Sequence, residues 1–157
     1  MDTVGQWLRA GALWAFGSAL AGCDGSPASV VLRTDDQKVL ATGAAVYQKH
    51  CAACHGARLE GQPRWREHDA QGRMPAPPHD ATGHTWHHPD QLLFDITKHG
   101  VAKAAKLKDY DSAMPAFAGV LSDAEIVAVL SWIKSQWPAE TRRHQEEVND
   151  AARRRGR

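Results

Sequence analysis

The sequence predicts an all-α fold, and three observations carry that prediction. Apolar residues recur at helical spacing in several stretches, and helix start and stop signals bracket those runs. No stretch shows the period-2 alternation of a half-buried strand, and there is no internal repeat. At 157 residues the chain has the length of one domain. A net charge of +1 gives no support for a nucleic-acid partner. Six tryptophans and eight prolines are many for this length, which suits a compact domain with irregular segments.

Residues 1–22 read as an export signal. The apolar run from Ala10 to Ala21 has the length of a signal core and is too short for a typical spanning helix. It ends in Leu20-Ala21-Gly22-Cys23, which resembles a bacterial lipobox and makes Cys23 the expected lipidation site. Asp24 resembles the retention signal of lipoproteins kept at the inner membrane. The alternative is an ordinary signal peptide or an uncleaved anchor, with Cys23 incidental. Arg9 is the only basic residue ahead of the apolar run, and Asp2 offsets it. Residues 23–35 read as a tether, 36–137 as the folded domain and 138–157 as a charged tail.

A first helix is expected from about Asp35 to His50, with Thr34 and Gln37 at capping-box spacing. Val39, Gly43, Val46 and Tyr47 share one face of it. A glycine inside a helix costs about 1 kcal/mol against alanine. Gly43 therefore marks either close approach of another backbone or a tolerated surface site. Gly56 to His88 is irregular and rich in proline and glycine. A second helix follows from Pro89 or Asp90 to His99, with Leu92, Leu93 and Ile96 as its apolar face and Gly100 just past its end. Lys103, Lys106 and Lys108 lie on a polar segment leading to Met114. The last core helix opens with the capping box Ser122-Asp123-Ala124-Glu125 and buries Ile126, Val129, Leu130, Ile133 and Trp137. Pro138 closes it, and the tail beyond reads as a solvated helical extension or disorder.

The chemistry is concentrated in Cys51-Ala52-Ala53-Cys54-His55. Two thiols three positions apart, followed at once by an imidazole, have the spacing for covalent c-type haem attachment. On one helical turn Cys51 and Cys54 share a face, so both can form thioethers with one macrocycle while His55 reaches its iron. A zinc site would need two further ligands at a recognisable spacing, and none accompanies the pair. A thioredoxin-like pair would need a βαβ context, which is missing. The third cysteine is Cys23, so no disulfide is implied.

The second axial position has several candidates. Met114 precedes a proline on the loop before the last helix and is the expected ligand, the alternative being a core filler. Met74 also precedes a proline, but within the loop expected on the His55 side. Met1 belongs to the signal. His79, His84, His87, His88 and His99 remain, and the run from His84 to His88 reads as either a second metal site or a polar loop.

With these residues in place the chain resembles a class I monohaem c-type cytochrome of the lipid-anchored bacterial sort. Gly43 and Tyr47, the Cys51–His55 pentad, the Met114-Pro115 pair and Trp132 on the last helix carry the resemblance, over about residues 36–137. It implies three or more helices wrapped around one covalently bound haem c, with the first and last helices crossing where Gly43 and Tyr47 meet Val129 and Trp132. It also implies that a proline carbonyl, best matched by Pro77, accepts the Nδ1 proton of His55. The family usually has leucine where His79 stands. Trp86 and Tyr110 resemble aromatics that hydrogen-bond haem propionates, or else they simply pack.

The expected function is electron carriage and not catalysis. His55 and Met114 together would leave no open iron position, and methionine sulfur favours the ferrous state. The expected partners are membrane redox proteins on the periplasmic side of the inner membrane, met through a lipid anchor or as a soluble periplasmic protein. Lys98, Lys103, Lys106 and Lys108 form either a steering patch for an acidic partner or an ordinary solvated face. The alternatives are a haem enzyme or gas sensor with a labile sixth ligand, and the electron-entry subunit of a larger dehydrogenase complex.

Overall fold

The computed structural model describes Met1 and residues 30–156. The signal segment, Cys23 and the start of the tether lie outside the described residues. Among the described residues six α-helices follow in order: α1 (Gln37–His50), α2 (Ala52–His55), α3 (Asp90–His99), α4 (Val101–Ala104), α5 (Asp123–Ser135) and α6 (Ala139–Arg155). A 3₁₀ turn spans Thr85–His87. No strand forms among the described residues, only an isolated bridge between Ala118 and Leu121, so the architecture is all-α as the periodicity predicts. No described helix is long and apolar enough to cross a membrane.

The α1–α5 pair is the frame. A Cβ on Gly43 would stand 2.1 Å from the Ala128 carbonyl oxygen and 2.7 Å from the Trp132 Cβ, so only glycine lets the backbones approach this closely. One turn further along, Tyr47 meets Trp132 with ring centroids 4.8 Å apart. The crossing thus uses the expected glycine and aromatics, with Ala128 as the backbone Gly43 meets. Ile126, Val129, Leu130, Ile133 and Trp137 are all buried. The Ser122 hydroxyl accepts from the Glu125 N–H, and the Glu125 carboxylate accepts from the Ser122 N–H, completing the expected capping box.

Four local expectations are corrected. α1 begins at Gln37, capped by Asp36, whose side chain accepts from the Lys38 and Val39 N–H groups; a stronger cap at that position displaces the Thr34–Gln37 box. α3 buries the expected Leu93 together with Phe94 and Thr97, while Leu92 and Ile96 are only half-buried. Residues 30–33, read as the end of a tether, are docked: Leu32 is buried, its N–H donates to Asp90, and the Arg33 N–H donates to the Ser131 hydroxyl at 2.9 Å. The tail is helical but not simply solvated, for Gln145 and Asn149 of α6 are buried.

That docking is polar. Asn149 accepts from the Asp90 N–H at 2.8 Å and so caps α3 from a distant helix. Gln145 donates to the Asp90 carboxylate at 2.6 Å and to the His88 carbonyl at 3.2 Å. Lys134, 4% exposed in its side chain, sits 3.6 Å from Asp90 and pairs with Glu146 of α6. A buried ammonium needs such partners, since an unpaired one is strongly disfavoured.

Candidate functional site

Cys51 is the joint between α1 and α2. Its N–H donates to Tyr47 O, and its own carbonyl accepts from both Cys54 and His55, at 3.1 and 2.9 Å. The whole pentad therefore lies on one turn. Both thiols are free, with Cys51 half-buried against the core and Cys54 exposed. Burial, and then the neighbouring Cys54, push the Cys51 thiol up to about 11. The Tyr47 hydroxyl donates to Gly56 O at 2.7 Å and fixes the end of the turn.

His55 is buried, and its Nδ1 lies 2.8 Å from Pro77 O. A carbonyl can only accept, so Nδ1 carries the proton and Nε2 keeps the lone pair a metal needs. Burial pushes the imidazole below its usual value, opposed by the Pro77 carbonyl. The loop that brings Pro77 into place is itself held. Gly61 N–H donates to His55 O at 2.8 Å, and Gln62 N–H donates to Ala76 O at 2.9 Å. Gly61 has φ +68°, and a Cβ there would stand 2.4 Å from Pro78 N. The close pass of chain beneath His55 thus depends on that glycine.

His79, two residues on, stacks on His55 with centroids 3.9 Å apart and planes 20° apart. Burial, then His55 and His84, hold the His79 imidazole well below its usual value, so it is neutral. The sequence offered no signal for this stack beyond a histidine where the resembling family has leucine.

The remaining candidates are spread over the other loops. Met114 is partly buried against the core, and its N–H donates to the Ser112 hydroxyl at 3.2 Å. Met74, half-buried, lies on the same loop as Pro77. Tyr110 is half-buried between α4 and Met114 in the chain. Trp86 stacks on His87 at 3.7 Å, and its Nε1 is buried without a hydrogen-bond partner. A buried N–H left unpaired is uncommon and points to an acceptor yet to be supplied. The His84–His88 run packs ring against ring with Trp65, Trp86 and His144. Among the described residues no group of three or more His, Cys, Asp or Glu side chains could hold a metal ion. Lys98 is taken up by Asp123 at 2.7 Å, which removes it from the lysine patch, while Lys103, Lys106 and Lys108 are exposed.

The donor set fits a covalently held haem on three counts: two free thiols on one turn, an adjacent imidazole with Nε2 as its lone-pair nitrogen, and an orphaned buried indole N–H. No curated protein and no solved structure matches the chain. Residues 38–133 match the family described as cytochrome c oxidase, cbb3-type, subunit III. The match spans α1, the pentad, Met114 and nearly all of α5, and the chain belongs to this family of c-type cytochrome domains, which bind haem c and transfer electrons.

Proposed function

We propose that the protein is a monohaem cytochrome that carries single electrons between membrane redox partners on the periplasmic side of the bacterial inner membrane, a carrier and not an enzyme, anchored by a lipid on Cys23. The observation that carries the reading is the His55–Pro77 hydrogen bond beside two free thiols. In this reading Cys51 and Cys54 would hold one haem c by thioethers, His55 and Met114 would ligate its iron, and Trp86 and Tyr110 would donate to its propionates. When bound, the haem supplies a one-electron iron couple whose potential His/Met ligation raises. The Pro77 carbonyl fixes the tautomer of His55 and increases its basicity. The apolar core around Tyr47, Phe94 and Ile126 excludes water, which disfavours the extra positive charge of the oxidised state. Lys103, Lys106 and Lys108 give an approaching acidic partner a favourable field.

The family match favours a second reading, that this carriage takes place within a larger oxidoreductase assembly. Release of the chain from membranes in mild detergent, alone or with companions, distinguishes the two. The decisive experiment on the site is optical. The exported protein is expected to give the pyridine haemochrome of a thioether-bound haem, a peroxidase-active band after denaturing electrophoresis, and the weak red absorption of a methionine–ferric bond. A colourless protein would overturn the reading. A red-brown protein that lacks the sulfur band and binds CO rapidly would instead be a gas-binding or enzymatic haem protein.

A further inference from the structure

One hydrogen bond sets the plane of a ring only loosely. The Pro77 carbonyl holds His55 at Nδ1, 2.8 Å away, but a hydrogen bond tolerates a broad range of angles, so the ring can still rock about its Cβ–Cγ bond. What lies on the face of the ring narrows that angle, and here it is another flat ring. The His79 imidazole is nearly parallel to His55, with centroids 3.9 Å apart and planes 20° apart. A leucine would fill comparable space with no preference for a plane.

His79 is itself fixed from several directions. Its N–H donates to Leu59 O at 2.8 Å, and its carbonyl accepts from the Trp137 indole at 2.7 Å. Its Nδ1 shares a hydrogen bond with the hydroxyl of buried Thr85, 2.8 Å away on the 3₁₀ turn. Tyr47 closes the edge of the ring at 6.5 Å between centroids, with planes 69° apart. The backbone bonds locate the residue, while the Thr85 hydroxyl is the polar contact that orients the ring.

We propose that His79 is a positioning residue that sets the plane of the His55 ring, with the Thr85 hydroxyl as the pin that holds it. The inference rests on the assignment of His55 as an iron ligand made above. Locking a ligand's rotation by contacts outside the coordination sphere is a general way to tune a metal site. The orientations of both iron ligands together determine which iron d orbital shares the unpaired spin. With Met114 unchanged, the pattern of haem-methyl shifts in the proton NMR spectrum of the oxidised protein follows the angle of the His55 ring.

The experiment uses the full, exported cytochrome. Thr85→Val removes the hydroxyl at nearly constant volume, and Thr85→Ser restores it. Thr85→Val is expected to change the order or spread of the haem-methyl shifts, and Thr85→Ser to return the wild-type pattern. His79→Leu is expected to change the pattern further; should it fail to fold, the Thr85 pair decides alone. The methyl pattern follows ring angle and would not move with a mere loss of stability, which the thermal midpoint records separately. A wild-type pattern in Thr85→Val would overturn the proposal, as would a change that Thr85→Ser does not reverse. A wild-type chain without thioether-bound haem would overturn the assignment of His55 as well, and haem staining identifies that case before any variant is made.

Discussion

A single carbonyl decides which nitrogen of His55 is left for a metal, and a single missing methyl decides how close the two main helices lie. Both are effects of one atom. At Gly43 an added Cβ would overlap the Ala128 carbonyl oxygen, backbone on backbone, so neither partner can turn aside. Gly43→Ala is expected to destabilise the fold by about 1–3 kcal/mol or more. A lower denaturant midpoint at an unchanged slope is the measurement. The axial assignment also turns on one side chain. Met114 lies before α5 and against the core, whereas Met74 shares the loop that brings Pro77 to His55. Met114→Ala is therefore expected to keep the haem attached, lose the red sulfur band, lower the reduction potential and admit CO; Met74→Ala is expected to do none of these. If the two variants exchange behaviours, Met74 is the ligand.

At the scale of elements, what the sequence revealed was what its neighbours in the chain determine. The Ser122–Glu125 box, the Gly100 stop and the buried stripe of α5 are local patterns, and each appears where it was expected. The start of α1 moved because Asp36 outcompetes Thr34 as an N-cap, a choice between adjacent residues that spacing alone does not make. α6 is different in kind: its buried residues are Gln145 and Asn149, so no apolar stripe announced that it docks. Its attachment should also depend on pH. Burial tends to raise the Glu146 carboxyl, but the Lys134 hydrogen bond and charge outweigh it and hold the group below its ordinary 4.5. A depressed folded value means the unfolded chain binds protons first, so this stabilisation is present above pH 4.5 and fades as pH falls through the folded value. The Glu146 side chain is 53% exposed, so solvent screening limits the effect to under about 1 kcal/mol. Glu146→Gln is expected to flatten the acid limb of a stability-versus-pH curve below pH 4.5 by about that amount. An unchanged limb would place the acid sensitivity elsewhere.

Across the whole molecule, Asp90 is the point where distant parts of the chain meet. It accepts from Leu32 N–H and Gln145, faces Lys134, and gives its own N–H to Asn149. Segment 30–33, α3, α5 and α6 are thereby joined through one buried carboxylate. None of this was legible beforehand, because a polar tertiary network leaves no periodicity, and the same holds for the ring stack at His79. The turn that carries the pentad and the c-type cytochrome family were legible because five consecutive residues announce them. The network makes a claim about cooperativity that a free tail would not satisfy. A solvated extension frays on its own, and its amides exchange with solvent almost as fast as in an open chain. Breaking the α6 contacts, by contrast, would leave Asp90 and Lys134 short of partners and remove the α3 cap, so α6 should open only when the domain does. Native-state hydrogen exchange is the measurement. The amides of Gln145 to Asn149 are expected to show the same opening free energy and the same denaturant dependence as those of Val129 to Ile133 in α5. Fast, denaturant-independent exchange in α6 would show that the helix is an appendage and that Asp90 joins only the elements before it.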